Sequence, residues 1–468
     1  IIKTGVGLNS INAACKILVN LSDKKYLHTI LRKHSKKAMN ALLGQIKITP
    51  SPHLKQQYSS VIGHWCLFAK KKYVEQTMEL IEELYFNEHV GSRNNDQRIL
   101  SGLLAYNVSK YALNVIKRYN KVLALSFVAT HDTDQECSGY WIKTMDECGG
   151  KQMCLIQNMD MTVELMIRTF NDSVYERKQT AITAIKDLCE LCKDDIDSDL
   201  FRKLVYQILE TLPGKIWDGK IKLFDSLNHI SKFCDNLINQ DAELKQRIIT
   251  SLLTEVQRKK MEYRIAGINA FGEIVINLNK HIDDVEKQIV IMDECVPIVK
   301  SIFDEYNKKE QKMMEQTTTD HAQKMELKQK YKKDQELLCC SIKFIGNVFN
   351  GNHDMMQLKY SSFIINDCYV HYLKRTEWMT QIAIYKSIQS FCETLNVNII
   401  DADLLCTLIG GIILGFDDLK YTAVRHQALC SLYKLLKLLK VHQQMHLIEK
   451  ELFNTIRSKI DFMADNDD

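Results

Sequence analysis

Only four prolines, at positions 50, 52, 213 and 297, interrupt a chain of 468 residues, where average composition would supply roughly 23. Proline lacks an N–H and its ring clashes with the preceding helical turn, so its scarcity marks a chain that is helical almost throughout. A β-sandwich or an α/β fold, with many connecting loops, fits poorly. The length exceeds that of an ordinary domain, which leaves either several domains or one quasi-linear array with a continuous core. With 46% apolar and 26% charged residues, wholesale disorder is excluded.

Three further readings bound the class. The longest uncharged apolar run, Leu404 to Phe416, has 13 residues against the roughly 20 of a bilayer span, so it is expected as a buried helix end. No signal-peptide pattern opens the sequence, and its first residue, Ile1, points to a start inside a larger chain. The odd number of cysteines, 15, is expected to be free buried thiols of a reducing compartment.

A repeat accounts for the missing prolines. In Glu176 to Leu188, small or apolar residues at 181, 184, 185 and 188 share one helical face. The pattern recurs as Gly267, Ile268, Ala270 and Phe271 after Arg264, as Ile384, Ser387 and Ile388 after Gln381, and as Ala428, Ser431 and Leu432 after Arg425. With Ala181 as phase marker, the equivalents are Ser60, Ser101, Ser138, Phe224, Gly267, Ser341, Ile384 and Ala428, and a further phase lies near Ala14. The common interval of 43 residues matches HEAT or armadillo units of roughly 40–47. The expected fold is an all-α solenoid of about ten helical hairpins. A small marker lets neighbouring helices approach closely, and the polar residue three positions earlier sits at the repeat junction. Phe224 and Ile384 depart from the small-residue rule.

One interval, Gly267 to Ser341, is too long, and its excess falls in the charged stretch 306–335. That stretch is expected as a mobile loop, either a plain solvated insertion or a tether or modification site. The division is therefore repeats over 1–305, the insertion 306–335, repeats over 336–460 and an acidic tail 461–468. Thr49 to Pro52, Leu212 to Gly214 and Phe349 to Asn352 read as turns. Pro297 falls within a helix, at its first turn or at a kink.

Enzyme motifs are missing: the sequence has no phosphate-binding loop, no nucleophile elbow and no HExxH pair. Cys189 and Cys192 have redox or zinc spacing, but no matching second pair follows, so they read as core thiols. His442 and His446, four apart on one expected helical turn, lack a third ligand. His64, beside Gly63 at an expected tight contact, reads as structural, and Asp194, Asp195 and Asp197 as helix caps. The chain is read as non-catalytic, with no cofactor and no metal.

Charge is unevenly spread. Residues 1–130 hold 19 Lys+Arg against 7 Asp+Glu, and residues 131–468 hold 43 against 51. Lys36, Lys37, Lys70, Lys71 and Lys72 are the candidate contacts to an acidic partner, the alternative being an ordinary solvated face. No stacking or groove-reading pattern points to nucleic acid.

Three stretches carry a family resemblance. Leu212-Pro213-Gly214-Lys215-Ile216-Trp217-Asp218-Gly219-Lys220-Ile221-Lys222-Leu223 resembles the Leu-x-Gly-Arg-x-Trp-x-Gly-Lys-x-x-Leu element of the large HEAT-repeat proteasome adaptor and scaffold family. Leu42-Leu43-Gly44 with Ser60-Val61-Ile62-Gly63-His64 is similar to the family's Ala-x-Gly-His region, and Glu136 to Trp141 to its Cys- and Trp-bearing stretch. The order is the family's order. Lys215 stands in place of Arg and Met145 in place of a second Trp, as in a diverged, fungal-type member.

The resemblance implies the C-terminal portion of a non-enzymatic, monomeric scaffold in cytoplasm and nucleus. It implies contact with the proteasome core particle and the ATPase-bearing regulatory particle, stabilising or remodelling their association, restraining activity and serving assembly quality control. Gly63, His64, Trp141, Gly214, Trp217, Gly219 and Lys220 then form the structural motif, with Trp217 wedged between helices and Gly214 and Gly219 permitting the turn. The rival reading is another large HEAT protein, such as a nuclear transport receptor.

Overall fold

The computed structural model describes residues 7–86, 95–156, 158–280, 282, 288–315, 321–349, 354–418, 420–448 and 450–466, and every regular element among them is helical. The chain divides into two compact units, residues 1–207 with 216–222, and residues 208–215 with 223–468. The composition gives no sign of this boundary.

The first unit opens with α1 (Leu8–Ser22), α2 (His28–Ile48), α3 (Pro52–Trp65), α4 (Lys71–Tyr85), α5 (Asn95–Tyr111) and the short α6 (Leu113–Ile116). It continues through α7 (Asn120–Ala129), α8 (Gln135–Cys148), α9 (Gly150–Ile156), α10 (Met159–Phe170) and α11 (Tyr175–Cys192) into α12 (Ser198–Thr211). The second unit holds α13 (Lys222–Phe233), α14 (Asp235–Gln240), α15 (Ala242–Glu255), α16 (Met261–Asn279), α17 (Met292–Glu315) and α18 (His321–Val348). Then come α19 (Asp354–Ser362), a π-helical stretch (Phe363–Val370), α20 (His371–Leu373), α21 (Trp378–Thr394), α22 (Ala402–Ile413), α23 (Thr422–Val441) and α24 (Lys450–Asn466).

Local chemistry sets the boundaries. Pro52 occupies the first position of α3, where its missing N–H costs nothing, and the Ser51 hydroxyl accepts from the Leu54 N–H at 3.4 Å. Asp134, Asp241 and Asp401 cap α8, α15 and α22 in the same way. Asp197 accepts from the Asp199 and Leu200 N–H groups at 3.0 and 3.1 Å. Pro297 lies inside α17, past its first turn. The apolar run from Leu404 lies in α22 and the 3₁₀ turn after it, where Leu405, Leu408, Ile409, Ile412, Ile413 and Phe416 are buried while Thr407 and Leu414 are exposed. Among the described residues no helix is long and apolar enough to cross a membrane.

The phase markers fall on α3, α5, α8, α11, α13, α16, α18, α21 and α23. Seven of them are buried, while Ser60 and Ser138 are half-buried. Marker helices stack in succession: α3 on α5 and α5 on α8 in the first unit, α16 on α18, α18 on α21 and α21 on α23 in the second. Two kinds of bond recur along the array.

The first kind joins successive repeats. Ser59 Oγ donates to the Leu103 carbonyl (3.2 Å), Ser387 Oγ to that of Ile342 (3.0 Å) and Ser431 Oγ to that of Tyr385 (2.9 Å). Their sequence separations, 44, 45 and 46, reproduce the repeat. The second kind closes four of the hairpins: the polar residue three positions before the marker reaches back to the end of the preceding helix. Lys178 donates to the Phe170 carbonyl (2.8 Å), Arg264 to Val256 (3.1 Å), Gln381 to Leu373 (3.1 Å) and Arg425 to Asp418 (2.8 Å). Terminal helical carbonyls lack intrahelical partners, so these side chains satisfy groups that burial would otherwise leave bare.

Arg177 departs from nearest-neighbour bonding. Its guanidinium bonds the Tyr85 carbonyl, 92 residues back, and lies over the Tyr85 and Phe86 rings at 4.7 and 5.3 Å. Arg168 likewise pairs with Glu82 at 2.9 Å.

The 306–335 segment is not a loop where it is described: 306–315 complete α17 and 321–335 begin α18. Residues 316–320 lie outside the described residues. Tyr306 and Tyr331 stack at 5.7 Å and share a 2.7 Å hydroxyl bond, Lys309 meets Asp334 at 2.6 Å, and Arg375 meets Glu310 at 3.0 Å. Counting apolar residues overlooked an interface made of paired charges and phenols. Residues 461–466 of the acidic tail continue α24.

Approach to a neighbouring backbone is sharpest at Gly63, where a Cβ would lie 2.5 Å from the Asn107 carbonyl oxygen. Gly63→Ala is therefore expected to destabilise the fold by about 1–3 kcal/mol, the cost of overpacking against rigid backbone. Gly44→Ala, in open space on α2, is expected to stabilise by about 0.5–1 kcal/mol. Urea titrations check both, and equal midpoints for the two variants would contradict the packing argument. Gln381→Ala is expected to cost about 1 kcal/mol through the lost cap, read in the same titration.

Candidate partner-binding surface

Residues 24–74 contain eleven Lys+Arg and no Asp or Glu. This run concentrates the positive charge of the first 130 residues on α2, α3 and the start of α4. Lys36 and Lys37 are exposed on α2, and Lys70, Lys71 and Lys72 at the beginning of α4. Lys71 pairs with Glu75 at 3.5 Å; among the described residues the other four have no carboxylate partner.

The helical hairpins bring these lysines together. α2 turns back into α3 and α3 into α4, so α2 and α4 run the same way and pack on each other. Near their C-terminal ends Lys47 bonds Glu83 at 2.8 Å. Lys36 and Lys72 each precede that bridge by eleven residues, about 16 Å along a helix rising roughly 1.5 Å per residue. The two lysine groups therefore lie level on adjacent helices. Exposed apolar residues accompany them, Tyr26 and Ile30 among these.

His64 faces inward. Its ring stacks on Tyr111 at 3.7 Å and Nδ1 lies 3.5 Å from Asp23. Burial lowers its pKa below 6.5, with Asp23 opposing and Lys110 adding to the shift. Trp141 is fully buried, its indole edge-on to Tyr85 at 6.0 Å and against Gly102.

Trp217 does not wedge between helices. It is half-buried in the turn before α13, where its ring stacks face to face on the half-exposed Tyr175 at 5.3 Å. The turn is held by Gln179, which donates to the Asp218 carbonyl (3.4 Å) and accepts from Lys222 (2.8 Å). Gly219 has φ +86 and lies against Gln179, so it alone supplies the left-handed turn. Gly214 has no such backbone requirement, its Cβ position meeting only the Thr211 carbonyl at 3.6 Å. Lys220 is fully buried, which its charge gave no reason to expect.

Neither the thiol pair nor the imidazole pair gains a third ligand among the described residues. Cys189 is buried in α11 and Cys192 half-buried. α23 ends at Val441, before His442, and Gln443 turns into a left-handed conformation, so His442 and His446 do not share a helical turn. Among the described residues no group of three His, Cys, Asp or Glu side chains is placed to hold a metal. Sequence reading also missed the ion pairs of Arg98 with Asp132 and Arg177 with Asp172, although Arg177 opens the marker segment of α11 and its apolar phase faces inward.

Stacked helical hairpins with inward small residues and an outward cationic edge define the class: an all-α solenoid of HEAT- and ARM-like repeats. The profile of the proteasome adapter and scaffold protein ECM29 HEAT-repeat domain matches residues 1–86, and that of the ECM29 C-terminal ARM-like repeats matches residues 234–467. The chain belongs to the ECM29 family of proteasome adapter and scaffold proteins.

Three relatives align with it. Proteasome adapter and scaffold protein ECM29 of Homo sapiens is 19% identical over 473 aligned residues, 96% of this chain and 24% of that one. Proteasome-associated protein ECM29 homolog of Drosophila melanogaster is 22% identical, covering 48% and 12%, and proteasome component ECM29 of Saccharomyces cerevisiae 21%, covering 67% and 17%. The chain thus spans a quarter or less of these relatives' length. Among solved structures, an engineered protein aligns over 93% of this chain and 97% of its own at 12% identity and a TM-score of 0.41. The karyopherin Kap121p bound to the SUMO protease Ulp1p aligns over 91% and 46% at 11% identity and a TM-score of 0.38. Neither likeness is close enough to carry an argument.

The His64 environment sets a pH dependence. Its folded pKa is lowered, so the unfolded chain takes the proton first; the stability tied to the neutral ring is complete above pH 6.5 and is lost as pH falls from there through the lower folded pKa. The stability gap between wild type and His64→Gln is expected to narrow from about pH 7.5 to about pH 5.5. Urea midpoints at the two pH values check it, and a constant gap would exclude a buried neutral His64.

Proposed function

We propose that the chain is a non-catalytic scaffold segment that attaches its parent protein to the proteasome, with the α2–α4 lysine edge as a docking surface. Membership of a family named for proteasome adapters and scaffolds supports this reading. The observation that carries it is the level grouping of Lys36, Lys37, Lys70 and Lys72 without carboxylate partners. Such a field steers an acidic surface into register and fixes orientation more than it adds raw affinity. The scaffold contacts both the core particle and the ATPase-bearing regulatory particle, stabilises or remodels their association, restrains activity and serves assembly quality control, in cytoplasm and nucleus. The nuclear-transport alternative is set aside by the family assignment.

The test is capture of purified proteasomes by the full-length protein, with Lys36, Lys37, Lys70, Lys71 and Lys72 each changed to Glu. Association is expected to weaken about tenfold and to lose most of its salt dependence. Unchanged affinity at low salt would remove the lysine edge from the interface, and no capture by the unaltered protein would remove the scaffold reading.

A further inference from the structure

A cleft of about 550 Å³ opens in the second unit between the turn leading into α16 and the outer face of α17. Its floor is apolar, with Met261, Pro297 and Ile298, and its walls carry Lys259, Arg264 and Lys309 against one carboxylate, Glu305. Three features separate it from a chance dimple between repeats.

Arg264 is presented rather than loose. Its Nε bonds the Val256 carbonyl at 3.1 Å and its side chain is 12% exposed, so the guanidinium is fixed on the wall with its outer edge toward the cleft. That edge is poorly filled. Glu305 Oε2 stands 3.5 Å from Nη1, against roughly 2.7–2.9 Å for a charge-assisted bond, and Glu305 is itself half-exposed. Lys259 is exposed and has no partner among the described residues, while Lys309 is shared with Asp334 at 2.6 Å. Beside these cations, the ring of Pro297 in α17 forms part of the floor.

We propose that this cleft binds an acidic, aliphatic-bearing peptide segment of a protein partner. One carboxylate of the segment takes the guanidinium edge of Arg264, displacing Glu305 toward solvent. A second carboxylate lies between Lys259 and Lys309, and an aliphatic side chain covers Met261 and Ile298. Glu305 acts as an internal placeholder that competes with the incoming carboxylate. The segment is extended, because the cleft holds only a few residues and has polar groups along both walls. The proposal deepens the scaffold reading by giving it a second contact of defined chemistry, and rests on that reading only for the source of the partner.

Fluorescence anisotropy with a fluorescein-labelled heptapeptide alternating glutamate and leucine tests it directly. Saturable binding is expected, weakened about tenfold by Lys259→Glu with Lys309→Glu and by raising salt from about 50 to about 200 mM. Glu305→Gln is expected to tighten binding severalfold, a gain that a merely structural role for Glu305 would not produce. Because Arg264 also caps α15, Arg264→Ala is read together with circular dichroism; if that variant unfolds, the exposed Lys259 and Lys309 variants decide the outcome. The five-lysine variant of the α2–α4 edge should bind the peptide as wild type does. Failure of the unaltered protein to bind, weaker or unchanged binding by Glu305→Gln, or equal loss in the α2–α4 variant would overturn the cleft. Proteasome capture measured beside it separates the two readings: peptide binding without capture refutes the scaffold role and leaves the cleft, and capture without peptide binding does the reverse.

Discussion

Four of the repeats close through a polar side chain that reaches back to the last carbonyls of the helix before it. Lys178, Arg264, Gln381 and Arg425 differ in charge and shape, yet each donates to a carbonyl seven or eight residues upstream. What they share is position. Each stands one turn before a marker that must sit against a neighbouring helix, so its side chain emerges where the previous helix ends. A helix terminus buried without a donor would cost about 1–3 kcal/mol per bare carbonyl; with the donor in place, the hairpin can be covered by its neighbours. The serine-to-carbonyl bonds at separations of 44 to 46 then hold one hairpin to the next. Packing supplies most of the stability, while these two bonds set its register.

The same constraint explains where charge is free to act. Inward positions are taken up by close approach and hydrogen bonding, so unpaired charge is left to outer faces and helix starts. The acid-free run of 24–74 exploits this on α2 and α4, whose shared direction turns sequence clusters into one surface. In the second unit Arg264 serves both purposes: Nε belongs to the fold, and the outer edge of the same guanidinium belongs to the cleft.

Much of this was legible in the sequence, and the failures have physical causes. The scarcity of proline gave the helices, and the 43-residue phase gave the order in which they stack. The resemblance around Trp217 led to the right family, but the indole's place could not be read from its size. Trp217 lies in a turn, where the aromatic face of Tyr175 and the side chain of Gln179 decide the packing, and both come from the preceding repeat. The 306–335 stretch misled because hydropathy scores Tyr306, Glu310, Tyr331 and Asp334 one at a time, whereas the structure buries them as partners. His442 and His446 misled because periodicity says nothing of where a helix stops.

Arg177 has a different consequence. In an array bonded only between neighbours, stability is nearly a sum over repeats, and one end can fray while the rest endures. The bonds from Arg177 to Tyr85 and from Arg168 to Glu82 bypass the intervening helices. They link the end of α4 to α10 and α11, so opening any element between them gives up contacts at both ends at once. The stretch from α4 to α11 is therefore expected to open as one cooperative foldon, a locally all-or-none block within an array whose other repeats can open singly.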